Sequence, residues 1–202
     1  MNRLLQHRAA KPVLFVLCAL PFMLLAWGAV ANTLGPNPAE ALIRRSGDWT
    51  LRLLCLTLAV TPLRQASGWT ALARLRRMLG LFTFFYGTVH GLCFAWLDMG
   101  LDPAAILKDI GKRPFILVGT LAWLLMLPLA ATSFNRAIRA LGAARWQALH
   151  RAVYAVVLLA LLHFFWMRAG KNDFGEWSVY AAVVALLLGW RLLRRRRRAA
   201  TS

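Results

Sequence analysis

Six apolar blocks punctuate this chain of 202 residues, at 12–31, 47–63, 79–97, 114–132, 152–168 and 178–193. Each is a continuous run of Leu, Ala, Val and Phe with little charge, separated from the next by a polar, Arg-bearing or Gly/Pro-bearing connection. An α-helix rises 1.5 Å per residue, so about 20 such residues cross a hydrocarbon layer of about 30 Å. The blocks do not alternate apolar with polar residues, which argues against the strands of a membrane barrel. The pattern predicts an all-α integral membrane protein, a bundle of six transmembrane helices forming a single domain over residues 1–202. The first block follows Arg3, Arg8 and Lys11 and ends in Ala29-Val30-Ala31, features shared with secretory signal peptides. Its apolar run of about 20 residues is longer than the 7–15 of a signal, so it is read as a retained helix with a kink at Pro21.

Charge orients the bundle. The net charge is +18 and the pI about 11.7, values that often mark nucleic-acid binding. Here the charges sit in short loops between apolar blocks, with no soluble domain to present a groove, so no nucleic acid is expected as a partner. One side collects Arg3, Arg8, Lys11, Arg64, Arg74, Arg76, Arg77, Arg136, Arg139, Arg145, Arg151, Arg191 and Arg194 to Arg198, which is 17 basic residues and no acid. The other takes all seven acids, from Glu40 to Glu176, and seven basic residues outside the apolar blocks or at their edges. The positive-inside bias places both termini in the cytoplasm, which requires an even number of spans. Trp27, Trp49, Trp96 and Trp177 mark outer ends of spans, and Trp69, Trp146 and Trp190 inner ends. Membrane lipid is the expected contact of the Arg194–Arg198 run.

Cys18, Cys55 and Cys93 lie within apolar blocks, and no C-x-x-C or C-x-x-C-H occurs. The chain therefore lacks a metal knuckle and a covalent haem attachment motif. It also lacks G-x-G-x-x-G and Walker sequences, and its loops are too short for a dinucleotide-binding fold. Any catalytic donor or acceptor domain belongs to another polypeptide.

Intramembrane ionisable residues are costly and point to function. His90 lies 13 residues past Arg77, and His163 lies 12 past Arg151. Both arginines mark the inner ends of spans that run in one direction, so both imidazoles sit about 18–20 Å above the inner face. Two imidazoles at one depth on facing helices suit the axial ligands of a b-type haem iron. Gly87 and Gly91 flank His90 and leave room for a bulky ring, and Phe84, Phe85, Phe94, Phe164 and Phe165 supply apolar walls. Arg52 and the Arg44-Arg45 pair could meet haem propionates. Helix packing for the glycines and snorkelling for Arg52 stand as alternatives.

His150 precedes His163 by 13 residues, a spacing familiar from cytochromes that stack two haems. Those residues turn an ideal helix by about 220°, and the position level with His150 on the third span is Arg77, which cannot ligate iron. His150 is a candidate second or alternative ligand, an orienting group for another cofactor, or a residue facing head groups. Arg76, Arg77 and Trp146 form an inner basic rim suited to a flavin phosphate or an acidic partner, with topogenic charge as the plainer reading.

The segment Arg76-Arg77-Met78-Leu79-Gly80-Leu81 leading to His90-Gly91, and the segment Trp146-Gln147-Ala148-Leu149-His150-Arg151 leading to His163, resemble the ferric-reductase-like transmembrane superfamily. Within it, the chain is similar over essentially its whole length to the MsrQ (YedZ) family of haem-binding membrane subunits. That resemblance implies haem b on His90 and His163, with His150 in the family's histidine set, and FMN as a further cofactor. It implies an electron-transfer subunit in a bacterial inner membrane, fed by quinol or a cytosolic flavin reductase. The implied acceptor is MsrP, a periplasmic molybdopterin-containing reductase that repairs methionine sulfoxide in proteins. Arg77 departs from the pattern of relatives with two complete haems. One competing reading is a cytochrome b subunit of another redox enzyme, such as a ferric reductase or dehydrogenase. Another is a non-redox transporter or scaffold, disfavoured by the lack of midplane carboxylates and of an evident repeat between halves.

Overall fold

Every apolar block becomes a helix in the computed structural model, which describes residues 2–170 and 172–199. The long helices are α2 (Ala10–Val30), α3 (Pro38–Ser67), α4 (Arg76–Cys93), α6 (Pro114–Ala131), α8 (Val153–Ala169) and α9 (Gly175–Ala199). Three shorter ones, α1 (Asn2–Gln6), α5 (Pro103–Lys112) and α7 (Asn135–His150), lie in the connections, and the described residues contain no strand. Lys171, one of the basic residues assigned to the acidic side, lies outside the described residues, as do the extreme ends of the chain.

Five stretches are long and apolar enough to cross a membrane: α2, Thr70–Asp98, α6, Asn135–Ala169 and Gly175–Arg194. The protein is thus a multi-pass membrane protein. The exception among the long helices is α3. Its 30 residues reach about 45 Å, but Arg44, Arg45, Asp48 and Arg52 in its first half dilute its apolar character. Local chemistry fixes its ends. Asn37 caps the N-terminus by accepting from the Glu40 N–H at 3.1 Å, with Pro38 at the first helical position. Gly68 closes the other end in the left-handed region (φ 71°), its N–H donating to the Arg64 carbonyl.

Contacts between helices set their directions. Ile43 near the start of α3 meets His90 near the end of α4, and Thr61 near the end of α3 meets Arg76 at the start of α4. The same antiparallel relation joins α6 to α8. Gln6, just ahead of α2, meets Arg74, and Arg191 on α9 reaches the Leu58 carbonyl of α3. Each long helix therefore runs opposite to its predecessor. The described residues nearest both chain ends lie at the Arg-rich end of the bundle.

Packing is most extensive between α3 and α4 and between α6 and α8. One core cluster joins Leu54, Leu58, Met126, Val156, Val157 and Val184; a second joins Cys18, Leu53, Val60, Leu79 and Tyr86. The outer surface is apolar as well: α2 alone exposes Phe15, Val16, Leu17, Met23, Leu24 and Trp27. Such a continuous apolar surface belongs in lipid.

Two local departures from a regular helix matter near the histidines. The end of α4 widens into a π-type turn over Phe94–Asp98, where the Met99 N–H donates to the Phe94 carbonyl. Between α7 and α8 the ladder tightens, with Ala152 donating to Leu149 and Tyr154 to Arg151. His150 thus ends α7 instead of extending α8 backwards. The 3₁₀-type bonds of the link add about 20° per residue to the 220° expected for His150 and His163 on one ideal helix.

Candidate functional site

His90, near the end of α4, and His163, near the end of α8, face each other across the bundle. Their ring centres are 6.0 Å apart and their planes cross at 80°. Each ring is tied through Nδ1 to a main-chain carbonyl on a neighbouring helix, His90 to Ile43 of α3 at 2.8 Å and His163 to Phe115 of α6 at 2.6 Å. A carbonyl only accepts, so Nδ1 carries the proton in both rings and Nε2 keeps its lone pair. Both imidazoles are thereby fixed in the tautomer that binds a metal through Nε2.

The spacing decides what the pair can hold. An imidazole nitrogen binds a transition metal at about 2 Å and lies about 1 Å from its ring centre, so two trans ligands on one ion have centres about 6 Å apart. Among the described residues, no group of three or more His, Cys, Asp or Glu is placed to hold a bare metal ion. Two imidazoles can hold an iron whose remaining ligands a macrocycle supplies, as in a haem. The donor set therefore fits that group.

Both seats are built alike. Ile43 lies four residues before Gly47, and a Cβ added at Gly47 would lie 3.2 Å from Nδ1 and Cε1 of His90. Phe115 lies four residues before Gly119, where a Cβ would lie 2.8 Å from Nδ1 of His163. The carbonyl and its histidine are 47 residues apart in one case and 48 in the other. Sequence reasoning missed these four residues and the repeated spacing. The signal was the near-constant offset of a carbonyl–glycine–histidine set, invisible to residue identity because only the glycine and histidine recur.

At the opposite end of the bundle lies a cavity of about 350 Å³ whose lining includes Arg76, Arg77, Arg151, Arg191, Trp146 and His150. Arg76, Arg77 and Trp146 thus share one cavity wall, and Arg77 also donates to Asn135 Oδ1 at 2.9 Å. His150 stacks on Trp146 at 3.9 Å between ring centres, and its Nε2 lies 3.1 Å from Thr132 Oγ1. The Thr132 hydroxyl donates its one proton to the Pro128 carbonyl at 2.6 Å. It therefore accepts from His150, whose Nε2 carries the proton. His150 has the opposite tautomer to the pair.

Phe84 also lines this cavity, and the remaining candidates make other contacts. Arg52 lies over the Trp49 ring and donates to the Tyr180 hydroxyl at 3.2 Å. A Cβ on Gly87 would meet Met126 Cε at 2.9 Å, which places this glycine in a helix-packing contact, and one on Gly91 would meet nothing within 4 Å. Of the phenylalanines, Phe84 stacks with Trp123 and Phe165 with Phe174, while Phe115 is the one whose ring lies 6.0 Å from His163.

A helical membrane bundle with paired imidazoles defines a class that comparison with known families makes specific. The family model described as ferric reductase like transmembrane component matches residues 46–161, the stretch that carries His90 and the first half of α8 and ends just before His163. Three relatives named protein-methionine-sulfoxide reductase heme-binding subunit MsrQ narrow it further. The protein of Polaromonas naphthalenivorans is 62% identical over 93% of this chain and 86% of its own length. That of Bordetella pertussis is 57% identical over 90% and 88%, and that of Xanthomonas campestris pv. campestris 45% identical over 93% and 87%. The chain belongs to the MsrQ family. No solved structure matches it.

Proposed function

We propose that this chain is the haem b-carrying membrane subunit of a two-component methionine sulfoxide reductase, with His90 and His163 as axial ligands. The observation that carries this reading is the pair itself, 6.0 Å between ring centres with both Nδ1 atoms committed to carbonyls. The printed names of the relatives, heme-binding subunits of protein-methionine-sulfoxide reductases, agree with it.

In this reading α3 is the sixth span, its polar first half lying at the histidine end, and both termini are cytoplasmic in a bacterial inner membrane. The single transmembrane domain leaves catalysis to its partner, the periplasmic molybdopterin reductase MsrP. When bound, haem supplies one-electron transfer. The chain's own part is to present two Nε2 lone pairs, hold both rings by main-chain carbonyls and surround them with apolar helices that exclude water. Electrons enter from quinol or a cytosolic flavin reductase at the arginine-lined end. There Arg76, Arg77 and Trp146 offer charge and a stacking face to FMN, and His150 forms part of the same wall.

The purified protein is expected to show a Soret band and a reducible α-band that decline in His90→Ala and His163→Ala. A colourless protein, or bands at full strength in both variants, rules the reading out. Deleting the chain should abolish repair of methionine sulfoxide in periplasmic proteins while the catalytic subunit persists.

A further inference from the structure

We propose that Gly47 and Gly119 are the positioning residues of the histidine pair, each opening the backbone seat that turns one imidazole's Nδ1 edge onto its carbonyl. This rests on the haem reading above and goes beyond it in assigning what fixes the ligands.

Two observations carry it. Both glycines stand one helical turn beyond the carbonyl that their histidine bonds, Gly47 after Ile43 and Gly119 after Phe115. A side chain at either position would strike the ring along one edge, at Nδ1 and Cε1 (3.2 Å to each from position 47; 2.8 and 3.0 Å from position 119). That edge carries the hydrogen bond, so the missing side chain is what lets the ring lie against the helix and reach the carbonyl. Seating that edge turns Nε2 away from its wall, on α3 for one ring and α6 for the other.

The other close glycines differ in kind. Gly28 abuts Leu34 and Gly87 abuts Met126, flexible side chains that can give way. His163 cannot move without losing its bond to Phe115. Gly189 has nothing within 4 Å of an added Cβ.

The test uses the purified full chain loaded with haem, read by optical spectrum, haem content, redox titration and electron paramagnetic resonance. Gly119→Ala is expected to displace the His163 ring and break its Nδ1–H bond. Losing the hydrogen bond that orients a metal-binding imidazole lowers metal affinity about 10- to 100-fold, so haem content should fall steeply. Losing the bond also makes the imidazole a weaker donor to ferric iron, so the midpoint potential of retained haem should rise. Gly47→Ala, with a looser contact, should raise the potential with a smaller loss of haem, and Gly189→Ala should change neither.

Should Gly119→Ala fail to accumulate, Gly47→Ala decides. The unsubstituted protein provides an independent reading: ring planes at 80° predict the highly anisotropic low-spin signal of near-perpendicular imidazoles, and a rhombic signal of parallel planes would overturn the proposal. Unchanged haem content, potential and resonance in both glycine variants would overturn it too, while leaving the haem reading intact. An unsubstituted protein without haem removes that reading and the proposal with it.

Discussion

The hydroxyl of Tyr86 accepts the N–H of Phe22 at 2.8 Å and, at the same distance, donates to the carbonyl of Cys18. Phe22 and Cys18 are the two groups a regular helix would join to each other, and Pro21 stands between them. A side chain of α4 is thus spliced into the ladder of α2, one turn before His90. The helix bend expected at Pro21 is stabilised by a partner on the histidine-bearing helix. Tyr86→Phe leaves both main-chain groups short of a partner in apolar surroundings, a loss of about 1–3 kcal/mol. Thermal unfolding in detergent should show the drop, with the haem spectrum of the folded fraction unchanged. No change in the midpoint would mean that α2 closes its own ladder without the phenol.

His150 and His163 should separate cleanly in spectra. His150→Ala removes a ring that donates to Thr132 and stacks on Trp146, so the low-spin signal of the haem proposed on His90 and His163 should persist. His163→Ala should eliminate it. Loss of that signal in His150→Ala would show that the cavity end and the pair form one unit.

Gly87 offers a test of packing against cofactor contact. Gly87→Ala brings a methyl group against Met126 Cε at 2.9 Å, and because that is the far end of a flexible side chain the cost should stay below about 1 kcal/mol. Met126→Ala should restore part of the loss in the double variant, as expected for two residues in direct contact. Thermal midpoints of the four proteins in the cycle measure it, and additivity would place the strain elsewhere.

At the end of α8, Arg168 lies over Phe164 and pairs with Asp173 at 2.8 Å and with Glu176. Its side chain is 14% exposed, while the two carboxylates are more than half exposed. Hydration of the carboxylates discounts the pairs, so Arg168→Ala should cost about 1 kcal/mol, less at high salt. Limited proteolysis should report it as faster cleavage in the turn between α8 and α9.

The helices were legible because lipid imposes a length, and the depth of the two histidines because residues per turn convert position into height. Height is only one coordinate. Which neighbour each ring rests against depends on how helices pack sideways, and neither hydropathy nor charge encodes that. Gly47 and Gly119 therefore escaped notice, whereas Gly91, adjacent to His90 in sequence, drew attention yet has open space where a side chain would be. The first half of α3 marks a second limit. Asp48 and Arg52 sit in a helix that packs closely on α4, so its apolarity falls below that of the other long helices even though it lies within the bundle. His150 shows a third, since a few bonds from residue i to i−3 shift the phase on which its expected orientation depended.

The repeated seats bear on how fast charge can move. An electron passes quickly when the site it enters need not rearrange, and preorganised dipoles spare that rearrangement. Rings held by side chains can swing as the charge between them changes. His90 and His163 are instead held by main-chain carbonyls of two helices, with backbone along one edge of each ring. With the haem proposed on His90 and His163, two similar hairpins gripping from opposite walls would leave the oxidised and reduced forms little to rearrange, so the barrier to each transfer would be set by distance and driving force more than by motion of the protein.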